Sequence, residues 1–175
     1  MQEYYDITVA GVHRRLPVVP INENMSIAGF VIFGDTDVVE PCARALAAKL
    51  PKETEVLVTA EAKVMKMPRY VIARKSVKGY MRNPIITTVN SITNMGREQI
   101  LVVDEHDAEF IKGKKVAIID DVISTGSSIE AIEKLVRESG GEVIARAAVL
   151  AEGDAADRSD IIYLEKIPLF FHDKK

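Results

Sequence analysis

The chain has 175 residues, 47% of them apolar and 28% charged, with a net charge of −3 at pH 7. That balance is ordinary for a globular domain, and it gives no global basic field to recruit nucleic acid, so any anion site has to be local. No stretch approaches the ~20 apolar residues of a membrane span, and the acidic N-terminal MQEYYDITVAG does not read as a signal peptide. The lone Cys42 excludes an internal disulfide and suits a reducing cytoplasm.

In chain order, residues 4–9, 15–21 and 27–32 are rich in β-formers and separated by Gly11, Asn22 and Asn24, which predicts a small antiparallel unit. Asp37 is the expected N-cap of a helix, with Glu40 three residues on, Pro41 in the first turn and Pro51 as the stop. Cys42 falls at an apolar position of that helix and reads as core filler rather than a nucleophile. Residues 55–60, 70–74 and 115–119 are short apolar runs of the kind buried in a parallel sheet. Residues 129–138 form an amphipathic helical pattern with Ile129, Ile132, Leu135 and Val136 on one face. Glu130 with Lys134 and Glu133 with Arg137 are i,i+4 pairs on the other face, and Gly140 and Gly141 close the helix. Residues 142–150 and 161–164 supply later strands. This alternation predicts an α/β fold, a doubly wound, mainly parallel sheet flanked by helices. We read one domain, with a small β-rich unit over residues 1–33 and a core over 34–175.

One segment does not fit. Only nine residues, 61–69, separate the runs 55–60 and 70–74, and one of them is Pro68. Parallel neighbours need a crossover of about a dozen residues or more. Either a crossover helix has been lost, or the two strands are not parallel neighbours, or residues are missing from the sequence after Lys63. The last reading accounts best for the gap.

The segment KVAIIDDVISTGSS is the most informative in the chain. An apolar strand ends in Asp120 and Asp121, and a loop of Ser124, Thr125, Gly126, Ser127 and Ser128 leads into the helix. The carboxyl end of a strand is where doubly wound sheets bind ligands. A helix N-terminus with free N–H groups attracts an anion, and four hydroxyls can donate to phosphate oxygens. Gly126 lets the backbone turn and approach closely. Adjacent carboxylates would repel phosphate, but they suit a diol, each accepting a hydrogen bond from a hydroxyl. Phosphate at one end and a sugar diol beside it describe a ribose 5-phosphate. The chain contains neither G-x-x-x-x-G-K-[ST] nor G-x-G-x-x-G.

These residues resemble the phosphoribosyl-pyrophosphate (PRPP) motif of the type I phosphoribosyltransferases, an apolar strand, an acidic pair and a loop ending T-G-x-[ST]. The resemblance extends over most of residues 10–150 and is nearest the adenine and xanthine branches. It implies that Asp120 and Asp121 hold the ribose hydroxyls and are catalytic, and that residues Ser124 to Ser128 hold the 5-phosphate. It further implies a pyrophosphate site of Glu61, Ala62 and Lys63, with Arg74, Lys75 and Lys78 from the next strand end. A polyanionic leaving group needs cations, and Arg82 adds to this basic cluster. Residues 79–107 resemble the hood that closes over the site, and residues 11–32 the part that covers the base.

What the resemblance implies is a transferase that moves ribose 5-phosphate from PRPP to a purine base, adenine favoured, in purine salvage. It also implies Mg²⁺ brought with PRPP and no protein metal ligand, a homodimer, a cytoplasmic location, and neither nucleic acid nor membrane as a partner. Two departures keep the base open. The hood stretch Ser91-Ile92-Thr93-Asn94 lacks the Glu usual in adenine enzymes and looks more like the xanthine branch. The acid that hypoxanthine–guanine enzymes place after the acidic pair is Ser124 here. The alternatives are a xanthine- or guanine-type enzyme, a pyrimidine enzyme of the same fold, or a PRPP-binding regulator without catalysis.

Overall fold

A computed structural model of the protein describes residues 3–32, 34–60, 69–89 and 99–172. The elements run β1 (Tyr4–Val9), β2 (Val12–Asn22), β3 (Met25–Ala28), α1 (Thr36–Lys49), β4 (Val56–Thr59), β5 (Val71–Ile72), β6 (Ile85–Val89) and β7 (Gln99–Val103). They continue with α2 (Glu105–Ile111), β8 (Lys115–Ile123), α3 (Ser127–Glu138), β9 (Glu142–Glu152), a 3-10 turn (Gly153–Asp157), β10 (Ile162–Ile167) and β11 (Leu169–Phe171).

Strands β10-β9-β8-β4-β5 form the central sheet, and every pairing in it is parallel. Its strands are apolar on both faces because both are covered. Val56, Val58, Val116 and Ile118 pack with Ile132, Leu135 and Val136 of α3. The alternate residues Leu57, Ala117 and Ile119 pack with Leu46 of α1. This period-two division over two faces is the doubly wound architecture that the sequence predicts. Leu135 is fully buried in the α3 layer. Leu135→Ala is therefore expected to cost ~2–5 kcal/mol, read as a lower urea midpoint at unchanged slope.

Four expectations change. The helix N-cap is Asp35, not Asp37. The Asp35 carboxylate receives Arg14 Nε at 2.7 Å and Nη2 at 2.8 Å, so it ties β2 to the start of α1 instead of capping the first turn. Pro41 consequently lies inside α1, beyond its first turn. On α3 the pair Glu133 with Arg137 forms, but Lys134 pairs with Glu138, 3.9 Å away. Finally, β4 and β5 are parallel neighbours, Val58 opposite Val71 and Thr59 opposite Ile72. That pairing excludes the reading in which the two strands are not parallel neighbours; residues 61–68 of the link lie outside the described residues.

The second sheet is antiparallel, in the order β1-β2-β3-β11. Three of its strands are the predicted N-terminal unit. The fourth comes from the far end of the chain, with Leu169 opposite Ile27 and Phe171 opposite Met25. Cys42 packs beneath this sheet with Ile7, Val9 and Leu16. Burial pushes its thiol up to about 11. Cys42 is expected to ignore a thiol reagent at pH 8 in the folded protein and to react fully in urea.

Candidate functional site

The pocket lies at the carboxyl edge of the central sheet, where β8 hands over to α3. It encloses about 290 Å³. Its floor is Asp120 to Ile129, its opposite wall is Ile27, Ala28, Gly29 and Phe30, and Glu152 closes one side.

Strand β8 does not stop at the acidic pair. It runs on to Ile123, with Val122 opposite Leu150 and Ile123 opposite Ala151. The two aspartates are thus held inside a hydrogen-bonded ladder rather than on a free loop. Asp120 is only 7% exposed, whereas Asp121 is more open. Asp120 Oδ1 accepts the Asp121 N–H at 3.0 Å, and Asp121 Oδ1 accepts the Val122 N–H at 2.7 Å. These bonds fix both carboxylates against the backbone.

The loop then turns at Gly126, whose φ of +87° is the left-handed conformation that favours glycine. Gly126 is the N-cap of α3 and offers no side chain to the first turn, so the helix N-terminus faces the pocket uncapped. The Thr125 and Ser127 hydroxyls lie 3.0 Å apart, which sets their oxygens side by side. The dipole of a twelve-residue helix, its amides and these hydroxyls together suit a phosphate.

The structure brings Asp120, Asp121, Ser124, Thr125, Gly126, Ser127 and Ser128 into this one pocket. Arg74, Lys75 and Lys78 do not line it. They follow β5, two strands from β8 at the same edge of the sheet, and Lys75 and Lys78 are exposed. Arg74 exchanges two 2.8 Å backbone hydrogen bonds with Val102 of β7 and lies 6.0 Å from the Tyr80 ring. Glu61, Ala62 and Lys63, and the hood stretch Ser91 to Asn94, lie outside the described residues.

Two side chains at the site were not singled out from the sequence. Arg158 grips Asp160 through Nε at 2.9 Å and Nη2 at 2.8 Å. Its Nη1 fills the space where a Cβ at position 126 would sit. Glu152, the last residue of β9, is 7% exposed and hydrogen-bonded to Ser124. Burial raises its pKa above the ordinary carboxyl value, and the Ser124 bond offsets this only in part. The only sequence signal was its place, an acid ending a buried apolar strand at the ligand edge of the sheet.

A raised folded pKa means that the folded state binds a proton the unfolded state has released, which lowers stability as pH rises through that window. Glu152→Gln is therefore expected to gain stability relative to the parent as pH increases from ~4.5. Parallel urea melts from pH 4 to 8 measure the difference, and a pH-independent difference would contradict it.

Comparison with known proteins agrees with this geometry. Residues 40–170 match the phosphoribosyl transferase domain model. The chain belongs to that family. It is similar to an adenine phosphoribosyltransferase of Clostridium botulinum, 37% identical over 68 residues, which cover 39% of this chain and 40% of that protein. It is also similar to the transcriptional regulator GfcR of Methanocella arvoryzae, 43% identical over 51 residues, covering 29% of this chain and 25% of that one. The chain thus spans less than half the length of the relatives it matches. Among solved structures, an adenine phosphoribosyltransferase from Thermoanaerobacter pseudethanolicus superposes with a TM-score of 0.64 at 19% identity, over 86% of this chain and 95% of that one. That likeness establishes the shared type I phosphoribosyltransferase fold.

Proposed function

We propose that the protein is a purine phosphoribosyltransferase that transfers ribose 5-phosphate from PRPP to a purine, adenine favoured, and releases pyrophosphate. The observation that carries this reading is the convergence of Asp120, Asp121 and the Ser124-to-Ser128 loop on one pocket at the ligand edge of the sheet. A purine ring nitrogen attacks the anomeric carbon while the bond to pyrophosphate breaks, and its electron pair leaves with the pyrophosphate oxygen. The loop and the N-terminus of α3 anchor the 5-phosphate, which fixes the sugar relative to the incoming base. Asp120 and Asp121 orient the diol and stabilise the positive charge that develops on the ribose. Glu61, Ala62, Lys63, Arg74, Lys75 and Lys78 serve the pyrophosphate in this reading.

Mg²⁺, a hard cation that suits phosphate and hydroxyl oxygens, would be brought by PRPP and held mainly by the substrate. Bound with PRPP close to Asp120 and Asp121, it would neutralise charge on the leaving group. A role in purine salvage, a homodimer and a cytoplasmic location complete the proposal. The described residues contain no helix long and apolar enough to cross a membrane.

The match to a transcriptional regulator favours a second reading, a PRPP-binding regulator of the same fold without turnover. A panel of bases with PRPP and Mg²⁺, followed by pyrophosphate release, separates the two. Release with adenine supports the enzyme. PRPP binding without release from any base supports the regulator.

A further inference from the structure

The pocket has more wall than a ribose 5-phosphate uses. With the diol at Asp120 and Asp121 and the phosphate at residues 124–128, what remains is Ile27, Ala28, Gly29 and Phe30, then Val122, Ile123 and Ile129, and Glu152. The first four offer apolar side chains and backbone groups. Among the described residues, Glu152 is the one ionisable side chain in the remainder, and it sits beside Ser124 at the carboxyl end of β9.

We infer that Glu152 determines the base, by pairing with the 6-amino group of a purine and rejecting a 6-oxo group at the same position. This inference rests on the proposed purine transfer and goes beyond it, because it assigns the choice of base to one side chain. Glu152 is buried, lines the pocket and uses part of its acceptor capacity on the Ser124 hydroxyl, so the rest remains for a group bound in the pocket.

The chemistry separates the two classes of purine in either protonation state. As a carboxylate, Glu152 accepts a hydrogen bond from the 6-amino N–H, and it meets only lone pairs at a 6-oxo group. As a carboxylic acid, which burial favours, it accepts from the 6-amino N–H and donates to the neighbouring N7. A 6-oxo purine whose N7 carries no proton, as in its nucleotide, presents acceptors at both O6 and N7, so one oxygen of the acid then faces a lone pair. An unmatched buried polar group of this kind is where small-molecule sites obtain large discrimination.

The bland alternative is that Glu152 merely props the loop through Ser124. Glu152→Gln tests the two, because it keeps the shape and the acceptor oxygen and adds an N–H₂ that suits a 6-oxo group. Adenine and hypoxanthine differ at that position, and kcat/KM is measured for each with saturating PRPP. The expected result is a fall of tenfold or more in the adenine-to-hypoxanthine ratio, with KM for PRPP within about twofold of the parent. Equilibrium binding of AMP and IMP supplies a second readout free of turnover and is expected to shift in the same sense. An unchanged ratio together with a raised KM for PRPP overturns the inference in favour of the loop prop, and leaves the purine transfer intact. A parent protein that releases pyrophosphate with none of adenine, hypoxanthine, guanine and xanthine, and binds none of their nucleotides, overturns the purine reading itself.

Discussion

Asp121→Asn is expected to lower kcat for PRPP-dependent pyrophosphate release by about 10²-fold, roughly 2.7 kcal/mol of transition-state stabilisation. The substitution keeps the side-chain shape and an oxygen that can still accept the Val122 N–H, so the local fold is retained. What it removes is a negative charge beside the sugar at the moment the sugar becomes positive. The loss should fall on kcat more than on KM for PRPP, because the diol keeps a hydrogen-bond acceptor in the ground state. Steady-state pyrophosphate release over a range of PRPP concentrations reads both parameters. Turnover within a few-fold of the parent would remove the carboxylate from this role.

Gly126→Ala should raise KM for PRPP about tenfold or more and destabilise the fold. At a φ of +87° a Cβ costs ~1–2 kcal/mol for conformation alone. It also collides with Arg158 Nη1, which cannot swing aside freely because two hydrogen bonds hold the guanidinium to Asp160. Either the guanidinium gives up this part-exposed pair, at a cost of ~0–1 kcal/mol, or the loop shifts, and in the proposed function it is the loop that presents amides and hydroxyls to the 5-phosphate. The double variant Gly126→Ala with Arg158→Ala separates the two contributions. It should recover the part due to collision and leave the part due to backbone conformation. If the single and double variants match, Arg158 does not constrain the loop.

How much of this was legible in the sequence depended on how local each signal was. The pocket floor was legible because its acidic pair and hydroxyl loop are contiguous, from Asp120 to Ser128. The doubly wound sheet was legible because strands buried on both faces leave continuous apolar runs. The N-cap was misplaced by two residues because Asp35 and Asp37 carry the same local signal. Only the distant Arg14 decides between them. The relation of β4 to β5 was not legible because a short link is compatible with several connections, and only the pairing of Val58 with Val71 shows the two strands to be parallel neighbours. Glu152 escaped notice because an acid closing an apolar run resembles a solvated strand end until β9 is placed beside β8. Arg158 escaped because its partner Gly126 lies in another element, and nothing local connects them.

The fourth strand of the antiparallel sheet bears on the order in which the molecule can be completed during synthesis. Strand β3, which gives Ile27 and Ala28 to the pocket wall, is flanked by β2 on one side and by β11 on the other. Its partner on the second side is residues 169–171, so a nascent chain carries that edge unpaired until residue 171 has emerged. Strand β8, which carries the loop, and its two neighbours β4 and β9 are by contrast all available once residue 152 has emerged. The phosphate loop can therefore be in place before the opposite wall is locked. Ligands held by the loop alone would then engage a folding intermediate that ligands needing the wall would not.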